Sequence, residues 1–226
     1  MAIRHPARWS ALLAAALLTS ACGSSSTNDT AGAPTPPQSP APTSMKTSVP
    51  TSRPTSRSTA EAPDPQADRI LAAHGLQGLD AVTLIERLDA LAVTARPADL
   101  MASVRPTELL VSDRSGEPVS VPIPGDRFYL SMAPYAQQTH DCHFHSLTTC
   151  LGELRNTKVH VTVQRADTGE TLVDQDLTTF DNGFVGVWLP RDIDASVRIT
   201  HDGRTATRTV RTGAQDATCL TTVKLA

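Results

Sequence analysis

Residues 23–65 hold 26 Ser, Thr or Pro among 43 positions and almost no large apolar side chain. Such a stretch cannot bury enough surface to offset the entropy of ordering it, so it has no place in a core. Its prolines favour extended conformations, and it reads as a spacer that holds a folded unit away from whatever precedes it. The low aromatic content of the whole chain, 4%, follows in part from this spacer. What can fold begins near Gln66 and comprises about 160 residues, enough for one sizeable core and a small companion lobe.

The segment before the spacer, residues 1–22, has the order of a signal peptide: Arg4 and Arg8, an apolar run from Trp9 to Leu18, then Thr19-Ser20-Ala21-Cys22. The run is too short to span a bilayer, which takes about 20 apolar residues. Small residues directly before a cysteine resemble a bacterial lipobox, although Thr19 stands where an aliphatic residue is usual. Cys22 is therefore the expected lipidation site. The expected location is the outer face of the cytoplasmic membrane or the cell envelope. The whole chain carries a formal charge of −3, and from residue 66 onward 15 basic residues face 20 acidic ones. This leaves no basic footprint for nucleic acid and favours cations as small partners.

Within the folded unit, Asp80 is placed to cap a helix whose Ala81, Leu84, Ile85, Leu88 and Leu91 recur at the spacing of one helical face. A shorter helix over Ala67 to His74 ends at Gly75, and residues 66–106 form a helical lobe closed by Pro97 or Pro106. Residues 107–226 change to short alternating segments. These are Glu108–Val111, Pro118–Pro122, Arg127–Met132, Lys158–Gln164, Thr171–Leu177, Phe184–Leu189, Ser196–Thr200, Thr205–Val210 and Cys219–Leu225. Turn signals fall at Ser115-Gly116, Thr168-Gly169, Asn182-Gly183 and Asp202-Gly203. The expected class is α+β: a helical lobe, then an antiparallel β-rich sandwich or partly open barrel.

The chemistry is concentrated in Thr139-His140-Asp141-Cys142-His143-Phe144-His145-Ser146-Leu147-Thr148-Thr149-Cys150. Three of the seven histidines lie there, with two of the three cysteines of the folded unit. Thiolate and imidazole together suit Cu(I) or Zn(II). Cys219 is distant in sequence, on a segment where alternation places Ala217, Cys219, Val223 and Leu225 on one face and turns the sulfur toward the sheet core. Exported cysteines usually pair, yet three cannot all pair with one another. A bridge between Cys142 and Cys150, or Cys150 and Cys219, with a spare thiol remains open beside a three-thiol metal site. A set that cycles between disulfide and metal-bound thiolates would combine both. Gly-x-Ser-x-Gly, His-Glu-x-x-His and phosphate-binding glycine loops are missing from the sequence, which argues against the corresponding hydrolases and nucleotide enzymes.

The run Phe128-Tyr129-Leu130-Ser131-Met132-Ala133-Pro134-Tyr135, the segment Thr139 to Leu154, and Ala217-Thr218-Cys219-Leu220-Thr221-Thr222 resemble the CueP family of periplasmic copper-binding proteins. The resemblance spans roughly Gln66 to Leu225 and rests on the Cys-x7-Cys loop with its distant third cysteine. It implies copper handling in the envelope, a helical N-terminal part and a β-rich C-terminal part. It further implies a metal site of Cys142, Cys150 and Cys219 with His145 and His140 as nitrogen ligands and His143 as a further candidate. Copper is the expected metal, with zinc as a variant. Thiol-dependent reduction of Cu(II) to Cu(I) and supply of copper to an exported superoxide dismutase belong to the same implication, and a homodimer is left open. The lipobox and the spacer depart from the soluble periplasmic form of that family and put the delivery partner in question. A disulfide-stapled β module that serves as a surface interaction domain is the alternative from a different class.

Overall fold

The structure, a computed structural model, describes residues 64–114 and 116–226; the signal segment, Cys22 and nearly all of the spacer lie outside the described residues. Helix α1, Pro65–Ala72, starts where the Asp64 carboxylate accepts from the Gln66 N–H at 2.7 Å, with Pro65 at its first position. Helix α2, Ala81–Asp89, is capped by Asp80, which accepts from the Thr83 N–H at 2.8 Å. Its Ala81, Leu84, Ile85 and Leu88 are buried, as their spacing predicts. A 3-10 turn over Val93–Ala95 follows. Among the described residues no helix is long and apolar enough to cross a membrane.

Both helices pack on a three-stranded antiparallel sheet, β1 (Met101–Val104), β2 (Glu108–Ser112) and β3 (Val119–Pro122). Leu71, Leu84, Leu88, Val104, Leu109 and Val121 are among the side chains that close this first core. A second sheet has the order β10 (Cys219–Lys224), β4 (Arg127–Tyr135), β7 (Val185–Pro190). A third has the order β6 (Thr171–Thr178), β5 (Lys158–Arg165), β8 (Asp194–His201), β9 (Arg204–Arg211). Inward residues of the second and third sheets form the largest core, in which Val159, Val161 and Val163 face Phe128, Leu130 and Met132. The β8–β9 hairpin turns on Asp202 and Gly203, both at positive φ, as the Asp-Gly signal predicts.

Strand β4 is buried along almost its whole length. Phe128, Leu130 and Met132 enter the large core, whereas Tyr129 joins the helical core and Ala133 joins a small cluster with Cys150, Cys219 and Phe184. One face of the second sheet therefore serves packing, and the other supports the cysteines.

The architecture is the expected α+β class, two short helices followed by mostly antiparallel strands. Three details differ from the sequence reading. Strand β1 occupies a stretch read as the close of the helical lobe. Strand β10 pairs with β4 in parallel; side-chain alternation sets which face a residue occupies but carries no strand direction. The β10 register also shifts between Leu220 and Val223. That irregularity turns Cys219 toward the small cluster while Val223 and Leu225 enter the large core, so these residues do not share one face.

Candidate metal centre

The loop between β4 and β5 is clamped from two sides. From β1, the Val104 N–H donates to the His145 carbonyl at 2.8 Å, and the Leu147 N–H donates to the Ala102 carbonyl at 2.9 Å. From the start of β10, the Thr218 and Cys219 N–H groups both donate to the His143 carbonyl, at 3.0 and 3.2 Å. The Thr218 hydroxyl completes the clamp: it donates to the Val104 carbonyl at 2.7 Å and accepts from the His145 N–H at 3.0 Å. These bonds use the loop's polar backbone groups and fix His145 beside Cys219.

The three cysteines among the described residues are free thiols in one cluster. Cys142 Sγ lies 3.6 Å from Cys150 Sγ, and His145 Nδ1 lies 3.9 Å from Cys219 Sγ. Among the described residues two donor sets, each with its ligand atoms within 4.8 Å of one another, are present: His140, Cys142 and Cys150, and His145, Cys150 and Cys219. Cys150 belongs to both. The sequence-derived candidates are thus brought together, with one distinction. His143 is exposed, sets its ring edge-on against Phe144 and stands outside both sets.

The three thiols are shifted in opposite directions, Cys150 down and Cys142 and Cys219 up. Hydrogen bonds from Cys142 and Cys219 hold the Cys150 thiol well below its ordinary pKa against the cost of burial, with help from His145. The Ser146 N–H also points at Cys150 Sγ, at 3.3 Å. Proton sharing with Cys150 pushes Cys142 up to about 12. Cys142, Cys150 and burial likewise raise Cys219. Of the three sulfurs, Cys150 is the one whose neighbours favour ionisation.

Behind His145 stands Asp89, which sequence reasoning passed over. Its fully buried carboxylate accepts from His145 Nε2 at 3.0 Å, from the Tyr129 hydroxyl at 2.7 Å and from Asn182 Nδ2 at 2.7 Å. Burial raises the Asp89 pKa, but the His145 charge and these three donors outweigh it and hold the carboxyl low. For His145, burial opposes the charged ring, yet Asp89 prevails and lifts the pKa to about 9. The carboxylate holds Nε2 and aims Nδ1 at the sulfurs, the arrangement by which outer-shell acids orient metal-binding histidines. A signal was present in the sequence: Asp89 falls four residues after Ile85 on the apolar stripe, and an acid in the last turn opposes the helix dipole.

A buried cluster of thiols and imidazoles on a β-rich scaffold defines a binding protein for soft metal ions. The chain belongs to the CueP family: the family model for the periplasmic copper-binding protein CueP matches residues 83–224. Membership of a periplasmic family implies an exported protein. The crystal structure of S.CueP is similar to this one, with 36% sequence identity, a TM-score of 0.67, and coverage of 72% of this chain and 99% of that chain. No curated protein matches the chain in sequence.

Proposed function

We propose that this protein captures copper in the cell envelope and holds it as Cu(I) between Cys150, its partner thiols and a buried imidazole. The observation that carries this reading is the convergence of Cys142, Cys150 and Cys219 with His145 and His140 within coordination reach. Sulfur-rich, low-coordinate donors favour Cu(I), whereas neither donor set offers a hard ion a carboxylate, and Asp89 behind His145 is already taken by three donors. Metal binding displaces the protons of the ligating thiols and of His145 Nδ1, so loading releases acid.

The same thiols support reduction. Two Cu(II) ions take one electron each from Cys142 and Cys150, an S–S bond forms between the two sulfurs, and whatever protons the two sulfurs still hold leave. The 3.6 Å separation puts the sulfurs in contact before the bond forms. A thiol reductant then restores the pair. Onward delivery to an envelope copper enzyme such as a superoxide dismutase, and anchoring through a lipid on Cys22, complete the proposed role. The test is competition of the reduced protein with a chromophoric Cu(I) chelator. The wild type should strip the chelator, and the Cys142→Ser, Cys150→Ser, Cys219→Ser triple variant should not. Equal affinity in the two proteins refutes the assignment.

A further inference from the structure

The two donor sets differ in depth. His140 and Cys142 are partly exposed, while His145 and Cys219 are buried at 0% and 3% exposure, and Cys150 lies between them at 9%. His140 lines an open groove of about 220 Å³ with Gln138, Thr139, Leu151, Gly152 and Glu153. The Glu153 carboxylate accepts from the backbone N–H groups of Gln137 and Gln138 at 2.9 and 2.6 Å, which fixes a negative charge at the groove. The inner set is buried: the Phe184 ring lies tilted against His145 with ring centroids 4.6 Å apart, and Asp89 holds the far side of the imidazole.

From this grading we infer that the centre is two stations sharing one sulfur. Copper enters by the groove onto His140, Cys142 and Cys150 and then moves inward to His145, Cys150 and Cys219. This rests on the copper reading above and adds the order in which the donors are used. The transfer is a ligand exchange with no change of oxidation state. The bonds from Cu(I) to Cys142 Sγ and the His140 ring nitrogen break as bonds to Cys219 Sγ and His145 Nδ1 form, and Cys150 Sγ stays attached throughout. The Cys219 proton passes to the departing Cys142 sulfur, and the His145 Nδ1 proton is taken up by the His140 ring nitrogen that the ion vacates. Because Cys150 is within 4.8 Å of every other donor in both sets, the ion never has to be free in solution between them.

The scheme separates rate from affinity. A gateway donor governs entry and exit equally, so its loss slows both and shifts the equilibrium little; a destination donor governs how long the ion stays. The experiment is stopped-flow transfer of Cu(I) from a chromophoric bicinchoninate complex to the reduced full chain, with the reverse transfer followed on addition of excess chelator. His140→Ala should slow uptake and release by the same several-fold factor and leave Kd within about twofold. His145→Gln should raise Kd about 10- to 100-fold, chiefly through faster release. Cys219→Ser carries the same expectation and takes over if circular dichroism shows that His145→Gln does not fold. Parallel changes of rate and affinity in His140→Ala and in the inner variants overturn the two-station scheme while the copper reading stands. A wild type that takes no copper from bicinchoninate overturns both.

Discussion

Replacing Asp89 by Asn keeps the size of the side chain and removes its charge, which isolates what the carboxylate contributes behind His145. The native carboxylate accepts from three buried donors, the Tyr129 hydroxyl on one oxygen and Asn182 and His145 on the other. A carboxamide has one acceptor oxygen. If that oxygen serves Asn182 and His145, the new NH2 meets the Tyr129 hydroxyl, which must turn its own proton into a buried site without an acceptor. One unsatisfied buried donor and a broken buried ion pair together cost about 3–5 kcal/mol. For a folded unit of this size the melting temperature should fall by roughly 10 °C.

The pH dependence carries the sign. His145 is raised in the folded protein, from an ordinary 6.5 to about 9, so its contribution is complete below about 6.5 and disappears as pH rises through 9. Asp89 is lowered, so its contribution is present above its ordinary value of 3.8 and fades as pH falls. The pair stabilises the fold between these limits. The Asn variant should therefore show its full deficit at pH 6 and a clearly smaller one at pH 10, by calorimetry on the apo protein. In the same variant, Cu(I) competition should show Kd raised about 10- to 100-fold, because Nδ1 is no longer aimed by a fixed acceptor. An equal deficit at pH 6 and pH 10, together with unchanged Cu(I) affinity, would refute the assignment of Asp89 as the residue that orients His145.

Other perturbations reach the centre by different routes. Thr218→Val removes the hydroxyl shared by the Val104 carbonyl and the His145 N–H and should cost about 1–3 kcal/mol in chemical denaturation. Gly152→Ala places a methyl 2.6 Å from the Gly183 carbonyl oxygen, where two backbones touch directly below the groove; the melting temperature should drop, and Cu(I) uptake should slow. Gly186→Ala drives a methyl into the Tyr129 hydroxyl and should loosen its bond to Asp89, visible as a fall in both stability and Cu(I) affinity. Exposure of the reduced protein to Cu(II) should consume two thiols for each two Cu(I) formed, measured by thiol titration alongside a Cu(I) chelator, and Cys142→Ser should stop this stoichiometric loss. His160, by contrast, bonds to Asp174 and Asp176 on the solvent face of β5 and β6. His160→Gln should leave the melting temperature and the Cu(I) titration as they are in the wild type.

Alternation and turn chemistry made the nine strands from β2 to β10 legible, and the loop's soft donors announced themselves by crowding. What stayed hidden has identifiable physical causes. Strand β1 is four residues long and alternates too briefly to rise above the prolines on either side of it, yet its backbone clamps the His145 loop. The parallel seat of β10 depends on which edge of β4 is free once β7 has taken the other, a property of the assembled sheet. The face reversal after Leu220 comes from a register irregularity that the Leu-Thr-Thr-Val residues do not advertise. Asp89 needed a three-dimensional partner list before its position on an apolar stripe became meaningful, since an acid at a helix end ordinarily meets water.

The parallel seat of β10 has a consequence for biogenesis. Cys219 enters the cluster on β10, the last of the described strands, beside Ser131 of a strand made much earlier. A chain delivered to the envelope from its N-terminus presents the Cys142 and Cys150 loop first, while the third sulfur and the Thr218 clamp are still to arrive. Only when the final strand docks does the buried pocket close around His145. High-affinity metal loading would then report that β10 has docked, and a molecule cut before β10 would keep the groove and lose the vault behind it.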